Sequence, residues 1–289
     1  MNILLVINSK YVKCGINMLR SLMESNDEKI RVFLAYRDLK EEEIEDVRKC
    51  LGDNELELLY IDKDKLNGLK DNDRLPLETY FRIIALDMLP ENVNKVLYLD
   101  ADMIVKKSLK DLYNINIDKL SAIACKDIYG YIYGVGNKSE ERLGLKNKGR
   151  YFNAGMMLFN IKYCREHNIC QKTIDFIKEY SDIIIWQDQD ALNVILEESV
   201  GLVQWEMFNC TPCMYVCKKS DIEQGIVQPI KADETTQVNE HISDYVDMTM
   251  AIYDNASIIH YIGETKPWDS KRPDSYCYGI FDKAYNMYK

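Results

Sequence analysis

The fold is decided by one stretch of the sequence, Val96-Leu97-Tyr98-Leu99-Asp100-Ala101-Asp102. Its apolar residues are typical of a buried strand, and two carboxylates follow at the point where that strand ends. Open α/β sheets bind ligands at the carboxyl ends of their strands, so Asp100 and Asp102 are expected at a binding site. Residues two apart in an extended chain point the same way, which lets both carboxylates meet one cation. A solvated turn that caps the next helix is the alternative interpretation of this pair.

Before this stretch, the sequence alternates short apolar runs with amphipathic segments. The pattern predicts strands over 3–7, 30–36, 56–61 and 96–99, and helices over 16–23, 40–51 and 80–89. Strands that alternate with helices in this way form a mostly parallel sheet with helices on both faces. The first third of the chain therefore predicts the α/β class.

After this stretch, strands are predicted over 122–125, 155–160, 202–204 and 258–261, and helices over 161–180 and 190–198. Only 6 Pro and 13 Gly occur in 289 residues, which leaves little room for a flexible linker. A single domain over residues 1–289 is therefore expected. The segment 207–249 is polar and weakly periodic, and a long irregular stretch inside a compact domain is usually functional.

The composition excludes several classes of protein. Lys and Arg number 37 against 47 Asp and Glu, and a net charge of −10 argues against a nucleic-acid binder. The N-terminus shows no export signal, and no apolar run approaches the roughly 18 residues that span a bilayer. Nine Cys is an odd number, so a complete set of intramolecular disulfides is impossible. A cytoplasmic protein with reduced thiols is expected.

A second candidate site lies near the end of the chain, where His260 closes a predicted strand and is followed by Gly263 and Lys266. Two carboxylates and one imidazole are a ligand set that suits Mn²⁺. Lys266 would hold a phosphate as a point charge, and Gly263 would let backbone approach it closely. The alternative is a half-buried His260 that is hydrogen-bonded in the core.

Two further stretches carry polar groups at strand and helix ends. Asn153-Ala154-Gly155 predicts a corner that leads into a buried strand and offers an amide to hydroxyl groups. The stretch 186–193, Trp-Gln-Asp-Gln-Asp-Ala-Leu-Asn, is typical of a helix cap and first helical turn, yet it is densely polar for a mere cap.

Other chemistries lack their motifs. The turn after the first strand reads Asn8-Ser9-Lys10-Tyr11, without the Gly-x-Gly-x-x-Gly of dinucleotide-binding enzymes, and no Gly-Lys-Ser/Thr element occurs. A structural zinc site at Cys210, Cys213 and Cys217 would need a second cysteine pair. The alternating Tyr129, Tyr131 and Tyr133 fit either plain packing or a platform for an acceptor sugar.

Taken together, four stretches resemble the family 8 glycosyltransferases, in the family's order and rough spacing. They are Tyr98–Asp102, Phe152–Gly155, Asp188–Asn193 and His260–Trp268, and the resemblance runs from residue 1 to about residue 268. It implies a GT-A fold, with a nucleotide-sugar half over 1–125 and an acceptor and catalytic half over 126–289.

The resemblance also implies roles for individual residues. Asp100, Asp102 and His260 would bind Mn²⁺, with Mg²⁺ as the alternative ion. The implied donor-binding residues are Asn8, Tyr11, Arg82, Asp100, Ala101, Asp102, Asn153, Ala154, Gly263 and Lys266. The implied catalytic residues are Asp188, Gln189, Asp190 and Lys266, and Asp127 is implied on the acceptor side. The family usually has Asp where this chain has Asn8.

The implied activity is transfer of glucose or galactose from a UDP-sugar to a glycan of the cell envelope, with retention of anomeric configuration. The acceptor would be a free, lipid-linked or protein-linked glycan. We expect no nucleic-acid partner, at most peripheral membrane contact, and a location in the cytoplasm, including the inner face of its membrane. An amide such as that of Gln189 is a poor nucleophile, so front-face attack by the acceptor is expected, with Asp190 as the second candidate nucleophile. The alternative is a degenerate protein of the same fold that only binds sugar nucleotide or glycan.

Overall fold

The computed structural model describes residues 1–66, 69, 77–128, 130, 135–212, 250–263, 266–269 and 276–289. The predicted tyrosine platform at Tyr129, Tyr131 and Tyr133 lies outside these residues, as do Cys213, Cys217 and most of the segment 207–249. Within the described ranges, none of the helices has the length and apolar character needed to cross a bilayer.

The core is a seven-stranded sheet in the order β3-β2-β1-β4-β7-β6-β8. Only β7 runs antiparallel to its neighbours. The strands are β1 Asn2–Val6, β2 Arg31–Tyr36, β3 Glu55–Tyr60, β4 Lys95–Leu99, β6 Ala122–Lys126, β7 Phe152–Asn160 and β8 Val200–Val203. Strands β5 Met103–Val105 and β9 Ile258–His260 pair separately as an antiparallel ribbon. The prediction of a mostly parallel α/β sheet is confirmed.

Helices cover both faces of the sheet. They are α1 Val12–Glu24, α2 Glu41–Leu51, α3 Phe81–Met88, α4 Lys110–Asn114, α5 Val135–Arg142, α6 Ile161–Glu166, α7 Ile169–Glu179, α8 Gln187–Ile195, α9 Trp205–Phe208 and α10 Tyr276–Asn286. Short 3₁₀ turns occupy Lys63–Leu66 and Leu77–Tyr80.

The two faces of the sheet build separate apolar cores, because alternate strand residues point to opposite sides. On one face, Val96 and Tyr98 of β4 pack with residues of α3, α6 and α7. On the other face, Leu97 and Leu99 pack with residues of α1 and α2. Strand β4 is thus buried on both sides, and its carboxyl end delivers Asp100 to the edge of a rigid layer.

Several predicted elements differ from the structure. The predicted helix over 161–180 is two helices, because Asn168 adopts a left-handed conformation with φ 53° that ends the first one. Strand β7 begins at Phe152 rather than at residue 155, since its pairing with β6 continues past a bulge at Ala124/Cys125. The predicted Asn153-Ala154 corner is therefore part of a strand. Helix α8 begins at Gln187, three residues before the predicted start, so it presents Asp188 and Gln189 in its first turn.

The described C-terminal helix, α10, packs onto the ribbon of β5 and β9. Phe281 is fully buried, and the Tyr261 hydroxyl donates to its carbonyl oxygen over 2.6 Å. Tyr285 stacks near Trp268 with 5.1 Å between ring centroids. The C-terminal aromatic residues therefore belong to a core cluster.

Candidate active site

Asp100, Asp102 and His260 meet where β4 ends and the small ribbon begins. One ligand atom from each lies within 4.8 Å of the others. His260 Nε2 lies 3.5 Å from Asp100 Oδ2 and 3.2 Å from Asp102 Oδ1. The antiparallel register sets Met103 opposite His260, so backbone pairing fixes the distance between the carboxylates and the imidazole. Two carboxylate oxygens and one imidazole nitrogen fit a divalent cation such as Mn²⁺.

Gly155 on β7 lets these ligands come together. A Cβ placed there would lie 2.3 Å from His260 Cε1 and 2.8 Å from Asp100 Oδ2, closer than atoms can pack. The Gly155 carbonyl also accepts from the Asp100 amide over 2.9 Å. The strand therefore supports Asp100 with its backbone and leaves the space of a side chain to the ligands.

Lys266 lies against the same carboxylates. Its Nζ donates to Asp102 Oδ2 over 2.6 Å and to the Tyr261 carbonyl over 2.7 Å. Burial alone would raise the pKa of Asp102, but His260 and Lys266 together hold it well below its ordinary value. Burial alone would lower the pKa of Lys266, but Asp102 raises it above its ordinary value. Both groups are therefore ionised at neutral pH.

Arg82 joins the metal-ligand cluster to helix α8. Its Nη2 lies 3.5 Å from Asp100 Oδ1, its Nε lies 2.6 Å from Asp188 Oδ2, and its guanidinium stacks over Tyr98. It also donates to the Ala154 carbonyl. Despite the short approach of Nε, Asp188 Oδ2 accepts no aligned hydrogen bond from the part of the chain that is described. Burial raises the pKa of Asp188 to about 6, against the opposing effect of Arg82.

Gln189 is held at every polar atom. Its Oε1 accepts from Asn153 Nδ2 over 3.2 Å and from the Ala154 amide over 3.1 Å. Its Nε2 donates to Asp127 Oδ2 over 2.9 Å and to the Tyr151 hydroxyl over 3.2 Å. Burial raises the pKa of Asp127. The side chain of Gln189 thus links the acceptor-side candidate Asp127 to the Asn153-Ala154 backbone in one fixed orientation.

Asp190 faces away from this group and is fully buried. Its Oδ1 accepts from the Tyr151 hydroxyl over 2.6 Å and from Arg142 Nη2 over 3.1 Å. Its Oδ2 accepts from the amides of Ile185 and Trp186 and lies 3.0 Å from Arg142 Nη1. A carboxylate with this many partners has no free lone pair for attack, so the hypothesis of Asp190 as a nucleophile does not fit its contacts.

The remaining predicted residues are placed less directly. Tyr11 is 37% exposed. Burial raises the pKa of its hydroxyl, Lys266 opposes this rise and Asp102 adds to it, so the hydroxyl borders the cluster. Asn8 lies in the loop between β1 and α1, where its Oδ1 accepts from the Lys10 amide over 3.1 Å. Ala101 is buried in the core face of α1 and α2, and Gly263 has a φ of +91°.

Three residues of the site were not predicted as site residues from the sequence. The Tyr98 hydroxyl donates to Asp100 Oδ1, the Tyr151 hydroxyl bridges Asp190 and Gln189, and Asn209 Oδ1 lies 2.7 Å from His260 Nδ1. Tyr98 and Tyr151 lie in or beside the quoted motifs, and that position could have identified them as site residues. No sequence pattern indicates Asn209, because it stands 51 residues before His260. Cys14, Cys50, Cys125, Cys164 and Cys170 are free thiols.

This geometry gathers two carboxylates, an imidazole and two fixed cations at the carboxyl end of strand β4. Such a set can bind a divalent cation together with a doubly charged phosphate ester. The amide and carboxylate of α8 border the same space and can orient hydroxyl groups.

Comparison with known proteins identifies the family. The model of glycosyl transferase family 8 matches residues 2–272, and the chain belongs to this family. The protein is thus a glycosyltransferase by family, and the predicted resemblance is confirmed.

Among its relatives are two enzymes named for lipopolysaccharide. The lipopolysaccharide 1,2-glucosyltransferase of Escherichia coli is 27% identical over 86% of this chain and 67% of its own length. The lipopolysaccharide 1,3-galactosyltransferase of Salmonella typhimurium is 26% identical over 89% of this chain and 69% of its own length. Across four of the curated relatives that it matches, the chain spans between 44% and 69% of the relative's own length.

The fold is shared with a solved enzyme. The galactosyltransferase LgtC, crystallised in complex with donor and acceptor sugar analogs, superposes with a TM-score of 0.73 at 21% identity, covering 99% of this chain and 96% of that one. The predicted GT-A fold is therefore confirmed. The division at residue 125 stays a prediction, and strands from both sides of it join the same central sheet.

Proposed function

We propose that this protein is a Mn²⁺-dependent, retaining hexosyltransferase that uses UDP-glucose or UDP-galactose, with Mg²⁺ as the alternative ion. The observation that carries the proposal is the convergence of Asp100, Asp102 and His260, with Lys266 2.6 Å from Asp102. A site with this ligand set and an adjacent fixed cation matches the charge of a nucleoside diphosphate that leaves as a trianion.

The leaving group is stabilised without a general acid. A divalent cation held by the three ligands would supply charge stabilisation to the departing diphosphate. Lys266 contributes a second positive charge from a fixed position, because Asp102 and the Tyr261 carbonyl both hold its ammonium group. Arg82 keeps Asp100 oriented through its guanidinium and ties it to helix α8.

Helix α8 faces the donor sugar in this proposal. Asp188 is 3% exposed, and its Oδ2 lies 2.6 Å from Arg82 Nε, so it would act on the donor sugar by orienting that guanidinium. Asn153 on β7 donates to Gln189 of the same helix. These groups would select the hydroxyl pattern of a hexose and hold the anomeric carbon towards the acceptor.

Attack by the acceptor hydroxyl from the same face as the leaving group, with the departing diphosphate taking the hydroxyl proton, would explain retention better than a covalent intermediate does. Gln189 is a neutral amide whose polar atoms are all engaged, and Asp190 is engaged by Arg142 and Tyr151. Asp127 lies 2.9 Å from Gln189 Nε2 and would orient the acceptor hydroxyl. Retention predicts that the new glycosidic bond has the α-configuration of the donor, which the anomeric coupling in a proton NMR spectrum of the product reports.

For the acceptor we propose a glycan of the cell envelope, free, lipid-linked or protein-linked. The support is that two relatives carry names with lipopolysaccharide as acceptor, one as a glucosyltransferase and one as a galactosyltransferase. The same pair leaves both hexoses as donor candidates. The cytoplasmic location and the peripheral membrane contact expected from the sequence belong to this proposal.

The test is release of UDP from UDP-glucose and UDP-galactose by the purified protein with MnCl₂, compared with Asp102→Asn. The variant keeps the size of the side chain and removes the charge that holds Lys266 and a metal ion. We expect turnover to fall by at least about a thousandfold, the scale of losing one electrostatic element of a transition state.

The matched control is Asp111→Asn, an exposed position on α4 that is remote from the cluster. It should turn over like the wild type. Undiminished turnover by a folded Asp102→Asn variant would overturn the proposal. Tight donor binding by the wild type without turnover, across donors and acceptors, would favour the degenerate binding protein instead.

A further inference from the structure

We propose that Asn209 is a positioning residue that fixes the tautomer of His260 and thereby turns its Nε2 lone pair towards the two carboxylates. The inference rests on the proposed metal site and adds to it a residue outside the four motifs. It concerns which ring nitrogen carries the proton.

The contact that carries the inference joins two buried side chains. Asn209 Oδ1 lies 2.7 Å from His260 Nδ1, and the two residues are 4% and 3% exposed. An amide oxygen only accepts hydrogen bonds, so the proton must sit on Nδ1 for this bond to form. In the neutral ring, Nε2 is then left unprotonated and faces Asp100 Oδ2 and Asp102 Oδ1 at 3.5 and 3.2 Å.

The carboxylates alone would favour the opposite arrangement. A neutral imidazole placed between two anions gains most by directing an N–H at them, which would put the proton on Nε2. A ring nitrogen that carries a proton cannot ligate a metal. Asn209 opposes this tendency from the other side of the ring, and a hydrogen-bond partner behind a ligating histidine commonly sets its orientation and basicity.

The backbone gives Asn209 a defined position. Its amide donates to the carbonyl of Trp205, the first residue of α9, and the next residue, Cys210, pairs with β9. The Cys210 amide donates to the Ile258 carbonyl over 3.0 Å, and its carbonyl accepts from the His260 amide over 2.8 Å. The same segment therefore holds both the backbone and the ring of His260.

The experiment compares an acceptor-free variant with one that keeps the acceptor. Asn209→Leu has a similar volume and no acceptor, and Asn209→Asp keeps the oxygen and adds charge to it. We expect Mn²⁺ affinity, measured by the EPR signal of free Mn²⁺ during titration, to fall 10- to 100-fold in Asn209→Leu. Asn209→Asp should bind at least as tightly as the wild type. Asn209→Ala serves as a second acceptor-free variant if the leucine variant does not fold.

A second readout needs no metal. The chain has three His, so ¹⁵N-histidine NMR resolves each ring, and His260→Gln assigns the signal. At a pH where the ring is neutral, His260 should carry its proton on Nδ1 in the metal-free wild type and in Asn209→Asp. In Asn209→Leu it should carry it on Nε2.

The outcomes separate this inference from the proposed function. If the wild type does not bind Mn²⁺ but the tautomer changes as expected, the metal proposal fails and the positioning role stands. If folded Asn209→Leu binds Mn²⁺ like the wild type, or keeps the Nδ1 proton, the positioning role is overturned. If Asn209→Asp loses affinity as much as Asn209→Leu, the role of Asn209 is only packing, which also overturns it.

Discussion

Gly155 shows how one missing side chain decides what a strand can hold. The residue lies inside β7, and its absent Cβ is the space in which His260 Cε1 and Asp100 Oδ2 sit. A glycine inside a strand weakens pairing and often marks such a close approach. Here the close neighbour is an imidazole from the far end of the chain.

We predict that Gly155→Ala displaces His260 and lowers Mn²⁺ affinity at least about tenfold, the effect typical of a disturbed metal-ligand orientation. The reason is steric, because the new methyl group would lie 2.3 Å from the ring. Isothermal titration with MnCl₂ measures the affinity, and circular dichroism checks the fold.

Gly279→Ala is the control, since α10 has open space around that position. Alanine in a helix should there keep Mn²⁺ affinity and stabilise the fold by up to about 1 kcal/mol. Wild-type affinity in Gly155→Ala would show that the ring can move aside without loss.

At the scale of the element, Asp190 holds the first turn of helix α8 in place from the side opposite to Asp188 and Gln189. Asp190 ties the first turn of α8 to Arg142 on α5, to Tyr151 and to the backbone that enters the helix. Asp188 and Gln189 precede it by two positions and by one position, and they contact Arg82 and Asp127, respectively. The same turn therefore anchors the helix with one side chain and joins the candidate site with the other two.

We predict that Asp190→Asn lowers the free energy of unfolding by about 3 kcal/mol, because the buried partner Arg142 keeps its charge without a full counter-charge. Urea denaturation followed by tryptophan fluorescence measures it. Glu198→Gln, an exposed acid just beyond the same helix, should change stability little. An inactive Asp190→Asn variant with wild-type stability would instead restore Asp190 as a nucleophile.

The elements show which parts of the fold the sequence could predict. The apolar runs that form β1, β2 and β4 are long and uninterrupted, and their predicted bounds differ from the observed ones by one residue. Strands β5 and β9 have three residues each, so β5 left no periodic signal, although it places Asp102 beside His260. The break at Asn168 depends on one left-handed residue inside an otherwise helical pattern.

The sequence predicts those site residues that lie together in a short motif. It does not predict the contacts between residues that are distant in the sequence. Asp100 and Asp102 stand two apart at the carboxyl end of a buried strand, and this context favours a cation site over a capping turn. The pairing of Asn209 with His260 and of Arg82 with Asp188 joins distant segments, and local patterns carry no record of such contacts. The exposed or buried state of Asp190 also depends on its tertiary partners.

At the scale of the whole molecule, part of the net charge of −10 is concentrated in the candidate site. Asp100, Asp102 and Asp188 are gathered in one place, and Arg82 and Lys266 offset only part of their repulsion. A bound divalent cation would relieve the remainder. Binding to the native state alone then raises stability by mass action.

We predict that MnCl₂ at about one hundred times its Kd stabilises the protein by about 2.7 kcal/mol and raises Tm by several degrees. Differential scanning fluorimetry with MnCl₂, MgCl₂ and EDTA measures the shift. Asp102→Asn should show almost none of it, and Asp111→Asn should show all of it. An equal shift in Asp102→Asn would place the ion elsewhere on the acidic surface.

The ribbon of β5 and β9 has a consequence for how this family can diversify. Asp102 and His260 come from distant parts of the sequence, yet the register of two short strands sets their relative position. Loops in the chain between those strands can therefore lengthen or shorten without moving these two side chains, and doubling a flexible loop costs only about 0.6 kcal/mol of closure entropy. Insertions in such loops can alter the surroundings of the site while the two strand ends keep Asp102 and His260 together.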